Sequence, residues 1–188
     1  KNKKGEEMNL PSLKKQILDK KCERMYVFHG TETYVIDEYI KKISEVLGLK
    51  VVYPNTLASV YKKLNVGGLF DEGKLYVVTN DKEAYRYEET YKDLPEIMRK
   101  SKNALILKYD LLTPQAKIAQ VLEDRVVQFS PMGESVLVNH IQRLIGETEY
   151  AELLARACDY DFGRIVLELE KIKVYAEVNG KEPNEVVK

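Results

Sequence analysis

Apolar positions over the first 130 residues follow two alternating patterns. Short, largely apolar runs recur at 24–29, 49–53, 75–79, 104–108 and 125–129. They are too short for helices and rich in valine, isoleucine and aromatic residues, which predicts buried strands. Between them apolar residues return every third or fourth position. Leu10, Leu13 and Ile17 predict a helix over 9–20 with Pro11 in its first turn. Val35, Ile36, Tyr39, Ile40, Ile43 and Leu47 predict a second, stopped by Gly48. Further helices are expected at 56–64, at 88–101 with an interruption at Pro95, and from Thr113-Pro114 through Leu122, while the polar stretch 81–87 reads as a connection. Strands alternating with helices at this spacing predict an α/β fold: an open, mostly parallel sheet with helices on both faces.

Beyond Gly133 the strand pattern stops. Helices are expected at 136–145, 150–157 and 162–178, joined at Gly146 and at Asp159-Tyr160-Asp161. The last has Ile165, Val166, Leu169, Ile172 and Val174 or Tyr175 near one face, with Asn179-Gly180 as its stop. The chain is therefore expected to divide into an α/β domain, 1–133, and a small helical domain, 134–188.

Charge adds little to this picture. Lysine plus arginine and aspartate plus glutamate each number 30 in 188 residues, so no basic excess marks the chain for nucleic acid. Cys22 and Cys158 are far apart and lack metal-ligand spacing, which reads as two reduced thiols of a cytoplasmic protein. No apolar run reaches the roughly 20 residues of a membrane span, and the N-terminal KNKKGEEM is not a signal peptide. No metal site and no cofactor are expected.

The first strand, Gly30 and the following helix stand where a phosphate-binding loop would lie. Such a loop counted from Gly30 needs glycine, lysine and serine or threonine where Val35, Ile36 and Asp37 stand. Without them there is no amide cradle and no ammonium for the phosphates, so ATP hydrolysis is not expected. His29 and His140 are isolated, no serine lies in a nucleophile elbow, and Tyr85, Tyr87 and Tyr91 read more readily as partly buried residues than as a base-stacking ladder. No catalytic residue emerges.

One stretch resists a purely structural reading. In LNVGGLFDEGKLYVVTND, positions 64–81, the apolar pair Leu69-Phe70 lies between Gly67-Gly68 and the break Asp71-Glu72-Gly73. It is either a local hydrophobic anchor or a contact site. The order of segments around it resembles the delta subunit of the bacterial DNA polymerase III clamp loader. The resemblance rests on YVFHGTETYVID at 26–37, on Leu69-Phe70 ahead of Lys74-Leu75-Tyr76-Val77-Val78, on Ala104 to Lys108 with Tyr109-Asp110-Leu111-Leu112, and on Glu168-Leu169-Glu170-Lys171-Ile172 with Tyr175-Ala176. It is diffuse but runs from about Leu10 to Lys188.

That resemblance implies a RecA-like, degenerate AAA+ core with a parallel sheet, followed by a small all-helical domain, and an ATPase-dead subunit. It implies that Leu69 and Phe70 plug into a hydrophobic pocket of the ring-shaped sliding clamp, with Gly67, Gly68 and Gly73 letting the tip turn without strain. The implied partners are the bacterial sliding clamp and other clamp-loader subunits, with DNA met only through the assembled loader and no membrane. The family's third, collar domain has no counterpart here, so the chain reads either as a fragment or as a short variant. The alternative is a stand-alone degenerate AAA+ adaptor that binds another protein.

Overall fold

The computed structural model describes residues 8–65, 72–87, 89–146 and 149–186. Among these, β1 (Met25–Gly30), β2 (Lys50–Val52), β3 (Lys74–Thr79), β4 (Ala104–Tyr109) and β5 (Val126–Phe129) form a parallel sheet in the order β2-β3-β4-β1-β5. Parallel strands joined through helices are covered on both faces, which is why they read as continuous apolar runs. Met25 to Phe28 are all buried, and so is every residue of β4, Lys108 included.

The helices α1 (Leu10–Leu18), α2 (Thr33–Leu47), α3 (Ala58–Asn65), α4 (Lys82–Arg86), α5 (Leu94–Lys100) and α6 (Lys117–Val121) accompany the sheet. One core joins alternate strand residues, Met25, Val27, Tyr76, Val78, Leu105 and Leu107, to Val60 and Leu64 of α3, Leu94 and Met98 of α5, and Ile118 of α6. On the other face, side chains of β1 and β5 meet α1 and α2. Phe28 packs edge-on against Phe129 at 5.0 Å, Tyr39 of α2 meets Phe129 at 5.4 Å, and the Tyr26 hydroxyl donates to Gln16 Oε1 of α1 at 2.6 Å.

Two local expectations are corrected. The stretch 81–87 contains α4, because the Asp81 carboxylate accepts the Glu83 and Ala84 amides at 2.9 and 3.3 Å and caps it, and Ala84 is buried. Pro95 does not interrupt a helix; it lies in the first turn of α5, where its missing N–H costs nothing, and a single 3-10 turn at Glu89–Tyr91 precedes it.

The chain forms two compact units, Lys1–Thr31 with Ile36–Phe129, and Glu32–Val35 with Ser130–Lys188. The second contains α7 (Glu134–Ile145), α8 (Tyr150–Ala157), α9 (Phe162–Val178) and α10 (Pro183–Val186). Its core is Leu137, Ile141, Ile145, Ala151, Ala155, Cys158, Ile165 and Leu169. Asp159 and Tyr160 take left-handed conformations, and Asp161 then caps α9 by accepting the Arg164 amide at 2.8 Å. On α9 the buried face is Ile165, Leu169 and Ala176, whereas Val174 and Tyr175 are 60% and 56% exposed. The expected continuation of the stripe to Val174 or Tyr175 therefore fails. At 3.6 residues per turn the buried face reaches Ala176 instead.

Gly30 is the tightest point of the sheet. Its φ is +139°, and a Cβ there would lie 2.0 Å from the Phe129 carbonyl oxygen. Gly30→Ala is expected to lower the unfolding free energy by about 2–4 kcal/mol, from overpacking and backbone strain together. A urea midpoint equal to the parent's would show that β5 is free to move aside.

Candidate functional site

Two places in the first unit concentrate polar groups against the apolar frame. The first lies at the carboxyl ends of β1 and β4. From β1 the chain leaves toward β2 at one edge, and from its neighbour β4 it leaves toward β5 on the other side. This is the topological switch point where open α/β sheets bind ligands. Here it carries an internal ion pair. Lys108, in register with Phe28 of β1 and Thr79 of β3, has a side chain 10% exposed and donates from Nζ to Asp37 Oδ1 of α2 at 2.8 Å. Only Thr31 and Glu32 separate β1 from α2, so no glycine-rich loop stands there to cradle phosphates. β3 ends at Thr79, and the carboxylate that follows, Asp81, is taken up by protein amides: Leu57 N–H donates to its Oδ2 at 2.6 Å, beside the two α4 amides.

The second place lies at the amino ends of the strands, around the connection from α3 to β3. Asn103 is 8% exposed; its Nδ2 donates to Lys63 O at 3.1 Å and its Oδ1 accepts the Lys74 amide at 2.9 Å. Ser101 Oγ donates to Leu64 O at 2.6 Å and accepts the Asn103 amide at 3.0 Å. Arg24 donates to Lys102 O at 2.9 Å. Gly73 packs against the same carbonyl, since a Cβ there would meet Lys102 O at 2.6 Å and Leu49 Cδ2 at 2.9 Å. Glycine is needed at 73 because backbone passes close to backbone, not because the chain turns through a positive φ. Leu69, Phe70, Gly67 and Gly68 lie outside the described residues. The sequence signal for Ser101 and Asn103 is a polar Ser-Lys-Asn triplet placed directly before a fully buried strand.

The other sequence candidates are absorbed by packing. Tyr87 and Tyr91 are buried, Tyr61 meets Tyr91 edge-on at 5.2 Å, and Tyr85 packs against Tyr109 at 5.5 Å, so the tyrosines face protein rather than a stack of bases. Burial pushes the Tyr87 phenol up to about 12. Burial also raises both thiols, Cys22 and Cys158, away from the reactive thiolate. Among the described residues no three histidine, cysteine, aspartate or glutamate side chains gather to hold a metal, and no helix is long and apolar enough to cross a membrane. His29 and His140 are half-buried, and burial lowers both below their ordinary value; at His140 the charges of Arg143 and Lys173 add to it.

No family model matches this chain, and no curated protein matches it by sequence. Among solved structures, the Bacillus subtilis DNA clamp loader delta protein matches with a TM-score of 0.58 and 16% identity over 91% of this chain and 58% of that one. The Thermotoga maritima RuvB Holliday junction branch migration motor matches with a TM-score of 0.54 and 9% identity over 94% of this chain and 64% of that one. The chain thus spans about three fifths of the structures it resembles, and at these identities the likeness is one of fold. That fold is a RecA-like α/β core with a five-stranded parallel sheet.

Two outcomes are expected. Asp37→Ala leaves the Lys108 ammonium without its carboxylate and should destabilise the protein by about 1–3 kcal/mol, the lower end reflecting an Asp37 that is half exposed. Asp37→Ala with Lys108→Met should return to within about 1 kcal/mol of the parent. Urea unfolding of the two variants checks both values. For the histidines, folded values below 6.5 mean that the unfolded chain binds more protons as pH falls. Their contribution is complete above pH 6.5 and is lost as pH descends through the lowered folded values. The urea midpoint of His29→Gln/His140→Gln should accordingly fall less than the parent's over that range.

Proposed function

We propose that this chain is a clamp-opening component of a bacterial DNA clamp loader, a delta-type subunit that binds the sliding clamp through Leu69 and Phe70 and does not hydrolyse ATP. The observation that carries the reading is a switch point with no phosphate loop. On a fold shared with a branch migration motor and with a clamp loader delta protein, only two residues join β1 to α2, and Asp37 of that helix pairs with Lys108. The missing loop supports a chain that does not hydrolyse ATP. The order of motifs along the sequence supports the same choice.

The contact is energetically sufficient. Burying a leucine and a phenylalanine side chain contributes roughly 3–6 kcal/mol gross, less the costs of association and ordering. Opening a closed ring requires that the subunit bind the open form more tightly than the closed one. An apolar wedge on a rigid α/β body supplies that difference if it fits a pocket whose neighbourhood moves on opening. Other loader subunits are the further partners, and DNA is met through the assembled loader.

A fluorescence titration against a bacterial sliding clamp tests the reading. The parent should bind, and Leu69→Ala/Phe70→Ala should weaken binding at least about tenfold, as expected when hot-spot side chains are truncated. Circular dichroism and melting should stay near the parent's. A large loss of stability in the double variant would assign the pair to core packing. Release of phosphate from ATP by the parent would refute the non-hydrolysing assignment.

A further inference from the structure

The connection between α3 and β3 has both of its roots held by one short turn. Lys63 O and Leu64 O are among the last carbonyls of α3, which no intrahelical amide can reach. They accept instead from Asn103 Nδ2 and Ser101 Oγ, at 3.1 and 2.6 Å. At the other root, the β3–β4 register begins at Leu75 opposite Ala104. The Asn103 side chain extends that ladder by one position, its Oδ1 accepting the Lys74 amide at 2.9 Å. Between Ser101 and Asn103, the Lys102 carbonyl is fixed by Arg24 and packed against Gly73.

An amide side chain is the group suited to this place. It offers a donor and an acceptor on one planar head, matching a helix-end carbonyl and a strand-start N–H at the same time. Alanine matches neither. Aspartate keeps an acceptor for Lys74 but turns a carboxylate toward the Lys63 carbonyl. Being buried, the head group has no water to take over the lost bonds.

We propose that the 101–103 turn is a bracket for the α3–β3 connection and that Asn103 is the positioning residue of the clamp contact. The inference rests on the reading above, in which that connection carries Leu69 and Phe70. Fixing both roots sets where the connection starts and ends before the partner arrives. This lowers the ordering cost of binding.

The test titrates the full chain and its variants against a bacterial sliding clamp and follows exchange of the Lys74 amide by NMR. Asn103→Ala and Asn103→Asp should each weaken clamp binding at least about tenfold, with Lys74 exchange accelerated in the alanine variant and largely retained in the aspartate variant. Combined with Leu69→Ala/Phe70→Ala, Asn103→Ala should add little further loss, because both act through one contact. Unchanged clamp affinity alongside accelerated Lys74 exchange would overturn the bracket and leave the clamp reading standing. Additive losses would overturn it too, since they would mean that Asn103 acts on the fold as a whole. No binding by the parent chain would overturn the clamp reading, and the bracket's role with it. If Asn103→Ala does not fold, Ser101→Ala, which removes a donor from the same root, carries the same comparison.

Discussion

Strand β1 can lie between β4 and β5 because residue 30 has no side chain. The Phe129 carbonyl occupies the space a Cβ would take, and this lets β5 pair with β1 from Val27 to Gly30. With β5 in place, the aromatic set of Phe28, Phe129 and Tyr39 closes one face of the sheet, and α1 is tied over the same face through Gln16. A central parallel strand buried on both sides has no solvent to satisfy polar groups. Chemistry is therefore displaced to the strand ends.

The two ends are used differently. At the carboxyl end the ion pair of Lys108 and Asp37 and the capping carboxylate of Asp81 are occupied with protein groups. At the amino end Ser101 and Asn103 hold a connection by its roots. The carboxyl end, where folds of this kind bind small ligands, carries internal polar bonds, and the roots of the α3–β3 connection lie at the opposite end, about 20 Å away along six-residue strands.

Much of the frame was legible in the sequence because burial leaves a periodic trace. Each strand announced itself by a run of apolar residues, and α2, α7 and α8 by regular apolar spacing. What escaped has a physical reason. α4 is five residues long and is held by a side-chain cap, which leaves no periodicity to read. Pro95 is equally compatible with breaking a helix and with starting one, and the neighbouring fold decides. The exposed Val174 and Tyr175 carry apolar side chains that pattern alone assigns inward. At the candidate sites, the missing phosphate loop could be read directly from Val35, Ile36 and Asp37. The roles of Lys108 and Asn103 could not, because their partners, Asp37 and the roots at 63 and 74, are distant in sequence.

Asp81 and Asn103 also act on a shared element. The carboxylate of Asp81 receives the amide of Leu57, immediately before α3. The side chain of Asn103 donates to the carbonyl of Lys63 near the other end of α3. An eight-residue helix, about 12 Å long, is thus held at both ends by buried side chains that flank β3 and β4. A helix held in this way behaves as a strut. Tilting it requires breaking a buried hydrogen bond at one end or the other.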